Sequence, residues 1–171
     1  MSRYLIAFSY DGGSFHGYQI QPNATTVQSV LQDKLSLLLG SKLEIVGSSR
    51  TDTGVHAHQQ FAHFDLPEVK KVKENAVFRL NRMLPDSLVV MGIYKVSDDF
   101  HARFAALSRT YEYRISPIKN PFNSAFSYRF GVELDVEAMN QAAALFFKHT
   151  DYQCFSKVKT EVTTFECTIM Q

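Results

Sequence analysis

The apolar positions along residues 3–96 follow two different periods. Strict alternation, rich in Tyr, Ile, Phe and Val, predicts β-strands. Spacing of three and four residues predicts amphipathic helices. The segments with strand spacing are 3–9, 43–47, 58–66 and 88–96, and the segments with helix spacing are 25–39 and 69–83. The order of elements is therefore β-α-β-β-α-β.

The ends of the first helix carry recognisable signals. Thr25 is expected to be its N-cap, with Gln28 as the capping-box partner three residues later. Gly40 lies where a helix commonly ends in a left-handed residue. Pro67 is expected to end the third strand before the second helix begins.

A β-α-β-β-α-β order is typical of ferredoxin-like α+β domains, with the helices on one face of an antiparallel sheet. We therefore predict a ferredoxin-like half at residues 1–97. Residues 98–171 are expected to form the first part of a second α+β half that is incomplete. Its predicted elements are a strand at 109–116, a hairpin partner at 126–130, a helix capped by Asp135 and reaching 147, and a strand at 163–170.

Composition is that of an ordinary soluble globular protein, with 45% hydrophobic and 20% charged residues in a chain of 171. The two cysteines, Cys154 and Cys167, do not have the spacing of a zinc knuckle. No apolar leader and no run long enough to span a membrane is found in the sequence. We expect a cytoplasmic protein without membrane association.

Charge is unevenly distributed although the net charge is only +1. Residues 101–130 carry five basic side chains against the single acidic Glu112, and they are rich in aromatics. Such a segment suits an anionic partner such as RNA. A solvated basic face is the alternative interpretation.

The segment SSRTDTGVHAH at 48–58 concentrates polar chemistry. Arg50 and Asp52 are two residues apart, so in an extended chain their side chains point the same way. A carboxylate held beside a fixed cation suits a nucleophile or base. An exposed ion pair of little energetic value is the alternative. His56, His58 and His63 lack the spacing of a metal site, so no metal is expected.

Aromatic and basic side chains also coincide further along the chain. Arg109, Tyr111 and Tyr113 share one face of the strand predicted at 109–116. Tyrosines beside arginine on a sheet are used by RNA-binding proteins to stack bases and hold phosphates. Tyrosines packed under a helix would produce the same pattern.

Four segments, in order along the chain, resemble the tRNA pseudouridine synthase A family. They are YDGGSFHGYQIQPN at 10–23, GSSRTDTGVHAHQQFAHF at 47–64, LNRMLPDSL at 80–88 and FHARFAALSRTYEYRI at 100–115. The resemblance implies two ferredoxin-like halves whose antiparallel sheets join across a central basic cleft. It also implies a homodimer that converts uridine to pseudouridine in the anticodon stem-loop of tRNA, without metal or organic cofactor.

The same resemblance implies roles for individual residues. Asp52 would be the catalytic aspartate, Arg50 its ion-pair partner, and Tyr111 the aromatic that stacks on the target uracil. Gly54 and His56 would shape the turn that presents Asp52. The remaining substrate-binding residues that it implies are His101, Arg103 and Arg109.

The sequence departs from the family pattern at several positions. Tyr18 replaces a tryptophan, and Ser48, Ser49 and Thr53 replace smaller residues beside the aspartate. The family's third conserved segment, which lines the other side of the cleft, has no counterpart in residues 1–171. The alternative interpretation is therefore a catalytically inactive RNA-binding fragment of such an enzyme.

Overall fold

The computed structural model describes residues 1–156 and 164–170. Within it the chain forms two compact units, 1–111 and 112–171. The domain boundary predicted at residue 97 stays a prediction, although the segment 98–111 belongs to the first compact unit. In the described part of the chain, no helix has the length and apolar character that crossing a membrane requires.

The first unit is built on a four-stranded sheet. Its strands are β1 (Ser2–Tyr10), β2 (Ile45–Gly47), β3 (Ala57–Leu66) and β4 (Leu88–Lys95), in the order β2-β3-β1-β4. Each neighbouring pair is antiparallel. The four predicted strands are thereby confirmed within one or two residues, except that β2 begins at Ile45 rather than residue 43. The α+β class is confirmed as well.

Helix α1 (Val27–Leu39) begins one residue later than predicted. Thr26, not Thr25, is the N-cap: its Oγ1 accepts from the Ser29 N–H, and Ser29 Oγ accepts from the Thr26 N–H. Gln28 is not the capping-box partner. Its Nε2 donates to the Ile45 carbonyl on β2 instead. Gly40 ends the helix in the left-handed conformation, at φ 60°, as predicted.

Helix α2 (Ala76–Asn81) is much shorter than the predicted 69–83. The segment before it makes isolated turns, in which Lys70 N–H donates to the Pro67 carbonyl. Val69 is 93% exposed, so the first apolar position of the predicted helix has nothing to pack against. Helical spacing alone does not sustain a helix without a surface that covers its apolar face.

The core of the first unit lies between the sheet and the two helices. Alternate residues of the strands enter it, as their period of two requires. Helix α1 contributes residues at positions three and four apart. The fully or almost fully buried members include Ile6, Phe8, Phe64, Leu66, Leu88, Val90, Val27, Leu31, Leu35 and Leu80.

The second unit differs from its prediction in its strands. Only Ile115–Ser116 of the predicted strand 109–116 forms a ladder (β5), and its partner β6 (Tyr128–Arg129) runs parallel to it. The predicted hairpin is therefore wrong. A parallel pair needs a longer crossover connection, which the residues between the two strands provide.

The helix predicted in the second unit is confirmed. Helix α3 (Val136–Phe146) begins after Asp135, whose carboxylate accepts from the Ala138 N–H at 2.9 Å. The predicted strand at 163–170 falls partly on residue 163, which lies outside the described residues. Over 164–170 the structure shows an isolated bridge, Glu166 with Asp151, rather than a strand.

Candidate active site

Asp52 lies at the start of a tight turn between β2 and β3. The Val55 N–H donates to the Asp52 carbonyl at 3.2 Å and closes the turn. Gly54 adopts φ 81°, a left-handed conformation that side chains disfavour, and no atom would crowd a Cβ there. The glycine is therefore required for backbone conformation rather than space. Arg50 and Asp52 are both exposed.

Thr51, between Arg50 and Asp52, is fixed through both its side chain and its backbone. Its Oγ1 lies 2.8 Å from the hydroxyl of Tyr10, at the end of β1. Its carbonyl accepts from the Tyr18 N–H at 3.0 Å. The core tyrosine and the loop 11–18 therefore set the position of the Arg50–Asp52 backbone.

Two glycines let the loop 11–18 approach this turn closely. Gly17 has φ 81°, and a Cβ there would lie 2.9 Å from the Thr51 carbonyl oxygen. A Cβ on Gly12 would overlap the backbone of Val55. Backbone against backbone packing explains why the segment preceding α1 carries these glycines.

His56 joins the turn to the same loop. Its Nδ1 lies 2.8 Å from Asp11 Oδ1 and 3.2 Å from the Gly12 nitrogen. One nitrogen cannot donate to Asp11 and accept from Gly12 at once. We assign the proton to Nδ1, because an unprotonated nitrogen would repel a carboxylate oxygen at that distance. Asp11 Oδ1 also accepts from the Gly13 N–H at 2.9 Å.

The two serines before Arg50 are both hydrogen-bonded to a buried side-chain amide. Ser48 Oγ and Ser49 Oγ each lie 3.2 Å from Oε1 of Gln60, which is only 6% exposed. Gln60 Nε2 donates in turn to the Ser49 carbonyl at 2.9 Å. Their hydroxyls therefore hold the approach to the turn against β3 and do not crowd it.

A second segment, residues 98–109, is attached across the open face of the sheet. Arg3 donates to both carboxylate oxygens of Asp65 at 2.8 Å, and its Nη1 donates to the Phe100 carbonyl at 2.8 Å. This fork holds the pKa of Asp65 below its usual value, chiefly through the hydrogen bonds. The guanidinium of Arg3 thus links β3 to the segment 98–109.

His63 provides the second attachment. It is 4% exposed, and its Nδ1 accepts from the Ala102 N–H at 3.1 Å. Burial lowers the pKa of His63, and the charges of Arg3 and His101 lower it further. The His101 ring lies against it, with centroids 4.7 Å apart. His63 is therefore a neutral acceptor in the folded protein.

The segment 98–109 ends next to the turn. Arg109 Nη2 donates to the Ser48 carbonyl at 2.9 Å, two residues before Arg50. Tyr111 is 75% exposed and follows Arg109 by two residues. Arg103 is exposed on the same segment. Arg109 thus approaches the turn that carries Asp52.

Comparison with known proteins decides the family. A sequence profile described as "tRNA pseudouridine synthase" matches residues 6–105, which include the turn and most of the attached segment. The chain belongs to this family.

Individual relatives carry the name tRNA pseudouridine synthase A. The chain is 43% identical to the protein from Bacteroides fragilis, over 99% of this chain and 68% of that protein. It is 44% identical to the protein from Parabacteroides distasonis, with 99% and 67% covered. For Bacillus subtilis the identity is 40%, with 94% and 66% covered. The chain spans about two thirds of the length of these synthases.

Three residues that hold the candidate site in place were not predicted from the sequence. Asp11 orients His56, Gln60 receives the serines, and Arg3 ties the segment 98–109 to β3. Asp11 stands in an Asp-Gly-Gly sequence, which is common in turns, so its presence there gives no sign of a distant partner. Nothing in the spacing links Asp11, Gln60 and Arg3 to their partners, which lie 12 to 97 residues away. Among the residues that the structure describes, His, Cys, Asp and Glu form no group able to hold a metal ion.

Proposed function

We propose that the protein isomerises uridine to pseudouridine in tRNA, with Asp52 as the catalytic carboxylate. The observation that carries this proposal is an exposed aspartate on a turn whose backbone is held by Tyr10 and Tyr18, in a chain of this family. A fixed turn supplies the positional precision that catalysis needs, while exposure leaves the carboxylate accessible to a nucleotide.

The reaction exchanges one bond of the uracil for another. The bond from ribose C1′ to N1 breaks, the base rotates, and a bond from C1′ to C5 forms. C5 loses a proton and N1 gains one, so there is no net oxidation or hydrolysis. Asp52 would attack the sugar or the base, or assist formation of a glycal. Arg50 would hold the carboxylate in position as a cationic neighbour.

Tyr111 is proposed to stack on the extruded uracil. Taking a base out of its stack costs a few kcal/mol, and an aromatic side chain returns about 1–3 kcal/mol. Its exposed ring supports this role, as does its place two residues after Arg109, which donates to the Ser48 carbonyl. Arg103, Arg109 and His101 are proposed to bind substrate around it, while Gly54 and His56 shape the turn.

The anticodon stem-loop is proposed as the part of tRNA that is modified, by a homodimer and without metal. A ferredoxin-like arrangement of the first half is supported by the order of elements and by the strand order β2-β3-β1-β4. We propose 1–97 as the catalytic half and 98–171 as part of the second.

The direct test is conversion of unmodified tRNA, followed by carbodiimide labelling and mass spectrometry. Pseudouridine should be found in the anticodon stem-loop, and EDTA should leave its yield unchanged. Tight tRNA binding without conversion would overturn the enzymatic proposal in favour of the RNA-binding alternative. Activity that EDTA removes and zinc restores would overturn the metal-free chemistry.

A further inference from the structure

A basic groove lies at the C-terminal end of α1. It has a volume of about 430 Å³ and runs between that helix end and the segment 70–79. Its cations are Lys70, Lys71, Lys73 and Arg79. Among the described residues that line it, none is acidic. We call this feature the α1-end groove.

Lys70 has a structural task in the groove. Its Nζ donates to the Leu39 carbonyl at 3.2 Å and to Ser41 Oγ at 3.1 Å, and it also contacts the Gly40 carbonyl. These are the carbonyls that a helix end leaves without partners, and a cation there is favoured by the helix dipole. Lys70 thereby fixes the segment 70–79 against α1.

The other cations of the groove face solvent. Lys71, Lys73 and Arg79 are exposed. Two glutamates belong to the neighbouring sequence, but Glu68 pairs with the chain's amino terminus at 3.0 Å, and Glu74 does not line the groove. The groove therefore presents a positive potential that its own lining does not neutralise.

We propose that the α1-end groove binds phosphates of the same tRNA whose uridine reaches Asp52. This inference rests on the proposed function, and it adds a contact remote from the reacting base. Lysine is depleted in protein–protein interfaces, whereas lysine and arginine carry most contacts to nucleic-acid phosphates. The charge of the groove thus favours RNA over a protein partner.

Helix α1 joins the groove to the active-site turn. Its N-terminal end is bonded to the loop 11–18, because the Val27 N–H donates to the Gly17 carbonyl. Thirteen helical residues span about 20 Å at 1.5 Å per residue. Such a separation requires a long polyanion to engage both places, and tRNA is one. Phosphate contacts there would add affinity and orientation but no sequence preference.

The test compares two double variants that each remove two exposed lysine charges. Lys71→Gln/Lys73→Gln alters the groove, and Lys95→Gln/Lys148→Gln alters exposed positions outside it. Binding of unmodified tRNA is measured over a series of salt concentrations, together with KM and kcat. A third variant, Lys71→Arg/Lys73→Arg, keeps the charge.

For the groove variant we expect Kd to rise about tenfold. We expect the slope of log K against log salt to become shallower by roughly 1.5, the value for two lost phosphate contacts. KM should follow Kd while kcat stays within about twofold. The arginine variant should bind tRNA with the same affinity as the unaltered protein. In the control variant, the slope should change by less than half of the change seen in the groove variant.

Equal affinities and slopes for the two glutamine variants would overturn the groove as an RNA site. A change in self-association of the groove variant, with unchanged RNA binding, would overturn it in favour of a protein contact. Failure of the proposed function looks different: the unaltered protein would form no pseudouridine, while the binding comparison would still report on the groove.

Discussion

Helices α1 and α3 have similar signals and different surroundings. Both begin at a side-chain cap, Thr26 in one and Asp135 in the other. Helix α1 buries Val27, Leu31 and Leu35 completely, whereas no residue of α3 is buried. The side-chain cap is thus common to both helices, whereas burial depends on a complementary surface within the same unit.

The strands of the two units show the same contrast more strongly. In the first unit, β1 is paired along both edges. By contrast, the clean alternation of 109–116 yields only Ile115–Ser116, which lies in the second unit. A helix satisfies its own backbone groups, but a strand satisfies them only through neighbours, so strand pattern is the weaker predictor where pairing is sparse.

The largest expected difference between the units is in the cost of removing a ring. Phe8 is fully buried and stacks against Tyr10 and Tyr18 at centroid distances of 6.1 and 6.3 Å. Phe122 is 90% exposed. We expect Phe8→Ala to lower the free energy of unfolding by about 3–5 kcal/mol, and Phe122→Ala by less than about 0.5 kcal/mol.

Urea denaturation of both variants, followed by circular dichroism, measures this difference. An equal loss of unfolding free energy in the two variants would contradict the comparison between the units. It would require a core around Phe122 that the described residues lack.

Two arginine–carboxylate pairs sharpen the comparison. Arg3–Asp65 is partly buried and also holds Phe100, whereas Arg114–Glu112 is exposed in the second unit. We expect Asp65→Asn to cost about 1–2 kcal/mol of unfolding free energy, and Glu112→Gln less than about 0.5 kcal/mol.

The Asp65 pair also predicts a pH dependence. Because its folded pKa is lowered, the unfolded state binds the proton more readily. The stabilisation is therefore complete above the unfolded carboxyl value of about 3.9 and is lost as pH falls toward the folded pKa. Asp65→Asn should flatten this part of the stability–pH curve. An unchanged curve would show that the fork contributes nothing.

The smallest expected effects have opposite signs in the two units. Tyr18 is buried, and its hydroxyl has no hydrogen-bond partner in the described part of the chain; burial raises its pKa. Tyr152 in the second unit has its hydroxyl 2.6 Å from the Phe146 carbonyl, to which it donates. Tyr18→Phe should stabilise by about 0.5–1 kcal/mol, and Tyr152→Phe should destabilise by about 0.5–1.5 kcal/mol.

Thermal melting of the two tyrosine variants provides the measurement. Destabilisation by Tyr18→Phe would mean that its hydroxyl has a polar partner, and the contrast with Tyr152 would disappear.

Much of the first unit could be predicted because its signals are local. Alternation in β1 and β3, the apolar stripe of α1 and the terminal Gly40 each report on neighbours a few residues away. The second helix was predicted too long because the pattern contains no information on exposure at Val69. Capping was misplaced by one residue because Thr25 and Thr26 are equally suited to it.

The candidate site was predictable only in part, for a related physical reason. Arg50, Asp52 and Gly54 stand together in sequence, so their turn could be anticipated. The bonds of Asp11 to His56, of Gln60 to Ser48, and of Arg109 to the Ser48 carbonyl join distant segments. Asp11, His56, Ser48 and Arg109 lie outside the strands, so the alternation that predicts the strands does not specify these contacts.

The most direct test of the central proposal replaces the carboxylate of Asp52 while keeping its shape. Asp52→Asn is compared with Asp33→Asn, an exposed aspartate on α1, by tritium release from C5-labelled uridine in tRNA. We expect Asp52→Asn to bind tRNA normally and to lose at least a thousandfold in rate, about 4 kcal/mol of barrier, while Asp33→Asn keeps full activity. A rate for Asp52→Asn within tenfold of the unaltered protein would contradict the assignment of Asp52 as the catalytic residue.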